Sequence, residues 1–353
     1  MTMKIKFLVL FCVITFLLPL AVCVIMGLSG VQHPMLRYGV GIILSFCSLV
    51  GFTLYLLKRK NTVWYLFFLM VVFSLLIELI TSPLRGYEIF IIPGGYRLCS
   101  VVTFALYFLF INVMLKRHAA KLKPSRILLA CLIGCCLLPL PIHLFNFSST
   151  LVSLPDLLFH LFGIVMGYCF YVSNKYVKSG IVIISLLCCT FLYFKGYDLW
   201  MHKLAHGTFT GKVVENYPAT MVFQNDLGEN ISIEDLGGEY LVLDFWFSGC
   251  GSCFRAFPKV QKVYDKWLDN EQVRLYAVFC RMKDYEETPA TGTELLREGG
   301  YTFPFLSIDM DDFFKETGIK VYPTVLIFNN KDRTLIFRGN IETAEKYLNE
   351  NLK

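Results

Sequence analysis

Apolar residues fill the first 200 positions in long blocks separated by short basic stretches, and beyond Gly207 they recur instead at strand and helix spacing. A helix needs about 20 apolar residues to cross the hydrocarbon core of a bilayer. Seven runs approach that length: Phe7 to Leu28, Tyr38 to Leu57, Thr62 to Ile80, Leu98 to Leu115, Ile127 to Phe145, Leu154 to Val172 and Ile181 to Trp200. Pro19, Pro139, Pro141 and Pro155 fall in or at the ends of these runs, where neighbouring helices and hydroxyls re-satisfy the freed carbonyls.

After Gly207 the pattern predicts a mixed α/β domain. Met221 to Phe223 and Ile231 to Ile233 flank Asn225-Asp226-Leu227-Gly228 and read as a hairpin. Tyr240 to Trp246 is nearly all apolar, as in a central strand covered on both faces. Arg255 to Leu268 has helical spacing, with Phe257, Val260, Val263, Tyr264 and Trp267 on one side. Strands are expected at Val273 to Phe279, Phe305 to Ile308, Thr324 to Phe328 and Thr334 to Phe337. Helices are expected near Glu294 to Glu298, near Asp312 to Glu316 and from Ile341 onward.

Composition sharpens this division. The 353 residues are 56% hydrophobic and 17% charged, outside the range of a soluble globular chain. Residues 1–206 hold 17 Lys and Arg against 4 acids, and 207–353 hold 16 against 23, so the formal +6 combines +13 with −7. The positive charges lie in breaks between apolar runs and not on a folded basic face, which sets nucleic-acid binding aside. Twelve of them occupy the amino terminus and the second, fourth and sixth loops, whereas the alternate loops hold only Arg37, Arg85 and Arg97. The positive-inside rule then places the amino terminus in the cytoplasm and everything after about residue 205 outside it, in the cell envelope. The first run also fits a cleaved signal peptide, with the same final orientation. Cys23 is a poor lipidation site, because Val22 precedes it where a small residue is required.

Of the 13 cysteines, ten lie in the apolar part. Cys135 with Cys136, and Cys188 with Cys189, are read as small packing residues, a transmembrane dithiol relay being the alternative. His33, His143 and His160 are scattered singly and read as packing or interfacial residues. The chemistry concentrates at Cys250-Gly251-Ser252-Cys253, between a buried strand and a helix. At a helix amino terminus the free N–H groups and the dipole stabilise a thiolate, and a second cysteine one turn inside resolves a mixed disulfide. No second Cys or His pair follows at ligand spacing, so a zinc site is disfavoured, and His202 and His206 read as a linker at the membrane edge. No cofactor beyond the dithiol is expected.

With Asp244-Phe245-Trp246 before the motif and Gly318-Ile319-Lys320-Val321-Tyr322-Pro323-Thr324 after it, residues 212–353 resemble the thioredoxin superfamily. The added hairpin, the Glu234 to Gly238 stretch and Pro258 are similar to its TlpA and ResA type of membrane-tethered extracytoplasmic proteins. The resemblance implies that Cys250 attacks, that Cys253 resolves, that Asp244 lies buried beneath Cys253 and exchanges a proton with it, and that Pro323 is cis and faces the pair. Trp246 would shield the motif, and Trp246, Tyr322 and Thr324 would contact substrate. Cys280, ending the second strand, is either a third redox thiol or a buried free one. A peroxiredoxin is disfavoured, since the threonine-x-x-cysteine site is missing. Spans two to seven also resemble prolipoprotein diacylglyceryl transferases at Arg37-Tyr38-Gly39, Pro93-Gly94-Gly95, Leu144 to Phe147 and Leu154 to Phe159. The histidine before the double glycine and the arginine before the family's Gly-Asn-Phe are absent, which implies a relative without that activity.

The expected protein is an α-helical membrane bundle of about seven spans (1–205) followed by an extracytoplasmic α/β thioredoxin-like domain (206–353). It is read as a thiol-disulfide oxidoreductase acting on thiols and disulfides of envelope proteins, with a membrane electron donor as a further partner. Reduction of substrates is favoured by the family resemblance alone. A polytopic transporter or electron conduit with a redox-responsive outer domain is the alternative, and a binding module whose cysteines staple a loop is a third reading.

Overall fold

The computed structural model describes residues 49–56, 62–81, 95–137, 139–140, 151–216, 221–319 and 321–352. The first expected span, Cys23, His33, His143, Pro93-Gly94 and Leu144 to Phe147 lie outside these residues. The chain divides into two compact units between Tyr197 and Asp198.

Residues 49–56 of the first unit are helical, within the second expected span. They are followed by α1 (Thr62–Thr81), α2 (Gly95–His118), α3 (Pro124–Cys136), α4 (Leu154–Val172) and α5 (Lys175–Phe191). A π-helical turn, Leu192–Gly196, carries α5 without a break into α6 (Tyr197–His206). Among the described residues, four helical stretches are long and apolar enough to cross a membrane: Thr62–Thr81, Gly95–His118, Leu151–Val172 and Lys175–His206. The fifth apolar helix, α3, is shorter, at 13 residues.

Two apolar helices in lipid gain nothing by hiding apolar surface from each other, so small residues and close backbone approach hold them together. Glycine supplies that here. A Cβ on Gly163 or Gly167 of α4 would sit 2.7 Å from Phe104 O or 2.4 Å from Ile111 Cγ2 of α2. Asn112 Nδ2 of α2 donates to Gly167 O at 3.1 Å. Gly134 of α3 meets Phe67 O of α1 in the same way, at 2.7 Å.

The second unit is one eight-stranded sheet with helices on both faces. Its strands are β1 (Lys212–Asn216), β2 (Val222–Gln224), β3 (Asn230–Ser232), β4 (Tyr240–Trp246), β5 (Val273–Arg281), β6 (Phe305–Asp309), β7 (Thr324–Asn329) and β8 (Thr334–Gly339), in the order β1-β8-β7-β4-β5-β6-β2-β3. β4, β5 and β6 run parallel, and β7 returns antiparallel beside β4. The helices are α7 (Gly251–Trp267), α8 (Pro289–Glu298), α9 (Met310–Thr317) and α10 (Ile341–Asn351).

The near-continuous apolar run of β4 follows from its central place. Val242 and Trp246 face a core shared with Phe257 and Val260 of α7 and Ala344 and Leu348 of α10. Leu241, Leu243 and Phe245 face the opposite core, with Phe313 of α9 and Phe223 and Ile233 of the hairpin region. Each such fully buried side chain contributes about 1.5–3 kcal/mol relative to exposure. Gly318 ends α9 at φ 67°, the left-handed conformation that glycine adopts without steric cost.

The structure differs from the sequence reading in three places. The added β1 is an exposed edge strand whose residues, Lys-Val-Val-Glu-Asn, carry no clean alternation. α8 starts at Pro289, earlier than expected, because Thr288 and Thr291 cap it reciprocally. His202 and His206 are not an open linker: both are buried in the second unit, with His202 Nδ1 2.7 Å from Thr208 O.

Candidate active site

Topology brings the motif and the proline segment to one edge. β4 ends at Trp246, and the antiparallel β7 begins beside it, with Thr324 opposite Phe245. The loop after β4 therefore faces the loop before β7. Cys250 is the N-cap of α7, and Cys250 and Cys253 are joined by a disulfide with Cα atoms 5.3 Å apart. Cys253 N donates to Cys250 Sγ at 3.2 Å, so this sulfur has one helix-terminal N–H directed at it. Cys250 is 5% exposed and Cys253 fully buried, whereas Gly249, Gly251 and Ser252 are open to solvent.

Ser252, where thioredoxin loops commonly carry proline, bridges the two loops. Its hydroxyl is 3.3 Å from Cys250 Sγ and 3.4 Å from Tyr322 O. A sulfur in a disulfide or thiolate has no proton to give, so this hydroxyl donates to Cys250 or to Tyr322 O. The Tyr322-Pro323 peptide bond is cis. The Tyr322 ring packs edge-on to Phe247, with centroids 5.2 Å apart.

Asp244 lies in the middle of β4, two residues before Trp246, so strand alternation directs it to the face that α7 covers. It is 1% exposed, and neither carboxylate oxygen has a hydrogen-bond partner among the described residues. Burial, with a smaller contribution from Glu342 of α10, pushes its carboxyl from 3.8 up to about 8. A position at a sheet edge is ruled out by pairing to β5 on one side and β7 on the other.

Three of the expected residues are fully buried. Trp246 is fully buried among Phe254, Phe257 and Phe279, so it supports the motif from beneath and offers no surface to a substrate. Thr324 is also fully buried, its hydroxyl donating to Val321 O at 2.6 Å. Cys280 belongs to the core on the other face of the sheet, away from Cys253, and burial pushes its thiol well up. The structure does not bring it to the cysteine pair. Glu287 is a residue that sequence reasoning missed: it accepts from the Ser248 hydroxyl and, at 2.7 Å, from Met282 N, tying the loop after β4 to the loop after β5. Its distance from the motif in sequence leaves no local signal. Among the described residues no cluster of three or more His, Cys, Asp or Glu is placed to hold a metal.

The thioredoxin-like family profile matches residues 237–335. The ResA thiol-disulfide oxidoreductase of Bacillus thuringiensis is 25% identical over 176 residues, covering 49% of this chain and 92% of the relative. The thioredoxin-like protein YneN of Bacillus subtilis is 26% identical over 104 residues, 30% of this chain and 58% of the relative. Among solved structures, StoA from Bacillus subtilis matches at 25% identity and a TM-score of 0.30, over 37% of this chain and 96% of its own. The second unit thus carries a thioredoxin-like domain of the TlpA/ResA kind. Its chemistry is that of a thiol-disulfide oxidoreductase.

Two measurements check this geometry. An acid with a raised folded-state pKa holds more protons folded than unfolded between pH of about 4 and about 8, so stability falls as pH rises through that window. Asp244→Asn removes the fall and stabilises the second unit by roughly 3–5 kcal/mol above pH 8, read from denaturant unfolding of the detergent-solubilised chain at several pH values. Ser252→Ala removes a donor to the Cys250 thiolate, so the midpoint of the Cys250 alkylation-rate profile moves up by roughly one pH unit.

Proposed function

We propose that the chain is a membrane-anchored thiol-disulfide oxidoreductase that reduces disulfides of envelope proteins through Cys250 and Cys253. The observation that carries this is the cysteine pair at the start of α7, with a helix-terminal N–H on Cys250 and the orphaned Asp244 carboxyl on the face beneath. The Cys250 thiolate attacks a substrate disulfide, forming the mixed disulfide and expelling one substrate thiolate. Asp244 takes the proton of the Cys253 thiol. The Cys253 thiolate then attacks Cys250 Sγ, releasing the second substrate thiolate and leaving the Cys250–Cys253 disulfide. Tyr322, Pro323 and the exposed Val321 form the opposite wall, whose backbone receives an extended segment of substrate.

The four long apolar helices support anchoring in a membrane. The full reading has seven spans within 1–205 and a redox domain over 206–353. The alternation of basic loops supports a cytoplasmic amino terminus and an extracytoplasmic second unit. Envelope compartments are oxidising, so a reductant there draws electrons from a membrane donor.

Cys253→Ala keeps the attacking thiol and removes the resolving one. Expressed in cells, this variant accumulates mixed disulfides with envelope proteins, seen as bands lost on reduction in non-reducing gels, while Cys250→Ala accumulates none. Absence of trapped species from Cys253→Ala contradicts the reading.

A further inference from the structure

Asp156 and His160 stand one turn apart on α4, 7% and 4% exposed, within helices long and apolar enough to cross a membrane. Ionisable side chains are costly at such positions, and they persist where their chemistry is used. Packing does not require them here. The same stripe of α4 continues as Gly163 and Gly167, seven and eleven residues beyond Asp156, and there bare glycine brings α4 against α2. The seam therefore has a glycine half that packs and a polar half that does something else.

In the polar half, the hydroxyls of Ser100 and Tyr197 both donate to Asp156 Oδ1 and touch one another. One turn along, His160 Nε2 lies 3.1 Å from Thr103 Oγ1, and the imidazole stacks on the Tyr107 ring with centroids 4.5 Å apart. Thr103 Oγ1 donates to Ser100 O at 3.1 Å, so one turn of α2 serves both ionisable groups. Farther into the bundle, Cys135 and Glu78 lie near Tyr107. Toward the start of α2, Arg97 Nη1 donates to Tyr193 O at 3.4 Å and Arg97 Nε to Tyr96 Oη at 3.0 Å. Asp156 is in the first turn of α4, Ser100 in the second turn of α2, and Tyr197 follows the π-helical turn that joins α5 to α6. The cluster thus sits near one end of the bundle.

We propose that Asp156 and His160 form a proton-exchange site of the membrane unit, relayed by the hydroxyls of Ser100, Thr103 and Tyr197. Its ligand is the proton. Asp156 touches the Ser100 and Tyr197 hydroxyls and His160 touches that of Thr103, and a carboxylate, an imidazole and hydroxyls each accept and donate a proton. The step is uptake of H⁺ by the Asp156 carboxylate to give the carboxylic acid, and its return through an adjacent hydroxyl; no electron moves and no bond other than O–H or N–H changes. The proposal depends on the membrane reading of the helices and not on the cysteine chemistry, so either can fail alone.

The competing account is a hydrogen-bonded brace between helices. Asn at 156 keeps an acceptor for both hydroxyls and carries no acid proton, which separates the two. Infrared difference spectra of the full-length protein in detergent are recorded through a pH titration in H₂O and D₂O. The expected result is a titrating carboxylic-acid band that shifts in D₂O, is lost in Asp156→Asn, and changes frequency and pH midpoint in Ser100→Ala, Tyr197→Phe and His160→Gln. Retention of every titrating carboxyl band in Asp156→Asn overturns the proposal. If Asp156→Asn does not fold, Ser100→Ala and Tyr197→Phe decide it: a carboxyl band unmoved by both leaves only the brace.

Discussion

A carboxyl group without a hydrogen-bond partner among the described residues lies inside the central strand of the second unit, and the arrangement around it follows from how that strand is covered. β4 has to be apolar on both faces because α7 and α10 press on one and α9 and the hairpin region on the other. Asp244 interrupts that run on the α7 face, where a protein selected for stability alone would place an aliphatic residue. Keeping an acid there raises its proton affinity into the range where thiols exchange protons. The cost in folding energy and the usefulness in thiol chemistry come from the same desolvation.

The strand also fixes the geometry of the sulfurs. Because β4 leads through a short loop into α7, a free N–H of the first helical turn meets Cys250. Because β7 is antiparallel to β4, the Tyr322-Pro323 segment opens beside that loop, and Ser252 spans the gap to Tyr322 O. The first unit solves a different problem by a different means. Its helices approach through glycine and backbone contact, which leaves the buried Asp156 and His160 unexplained by packing.

Much of this was legible in the residues. The continuous apolar run of Tyr240 to Trp246, the four residues from Cys250 to Cys253 and the Tyr322-Pro323 step are local signals, and each appears where the pattern placed it. What was not legible depends on contacts distant in sequence. Trp246 and Thr324 stand beside the motif in sequence or topology, yet strand alternation and helix cover bury both completely. Cys280 lies near the end of its strand that carries the cysteine loop but on the wrong face, and a single residue of strand register decides that. Ser252 acquires a role only when the facing carbonyl of Tyr322 is seen, and Glu287 only when two loops meet. His202 and His206 look like a linker because their partners, Thr208 O and Thr324, come from an added loop and a strand more than a hundred residues away.

The central claim is that Asp244 accepts the proton of Cys253 when a mixed disulfide is resolved. A single-turnover measurement isolates that step: the reduced full-length protein is mixed with a chromogenic disulfide that forms the mixed disulfide on Cys250, and release of the second thiol is followed in time. Asp244→Asn should leave the first, attacking phase unchanged and slow the second by about 100-fold near neutral pH, as expected for loss of a positioned general base. Equal second-phase rates in the two proteins would contradict the account.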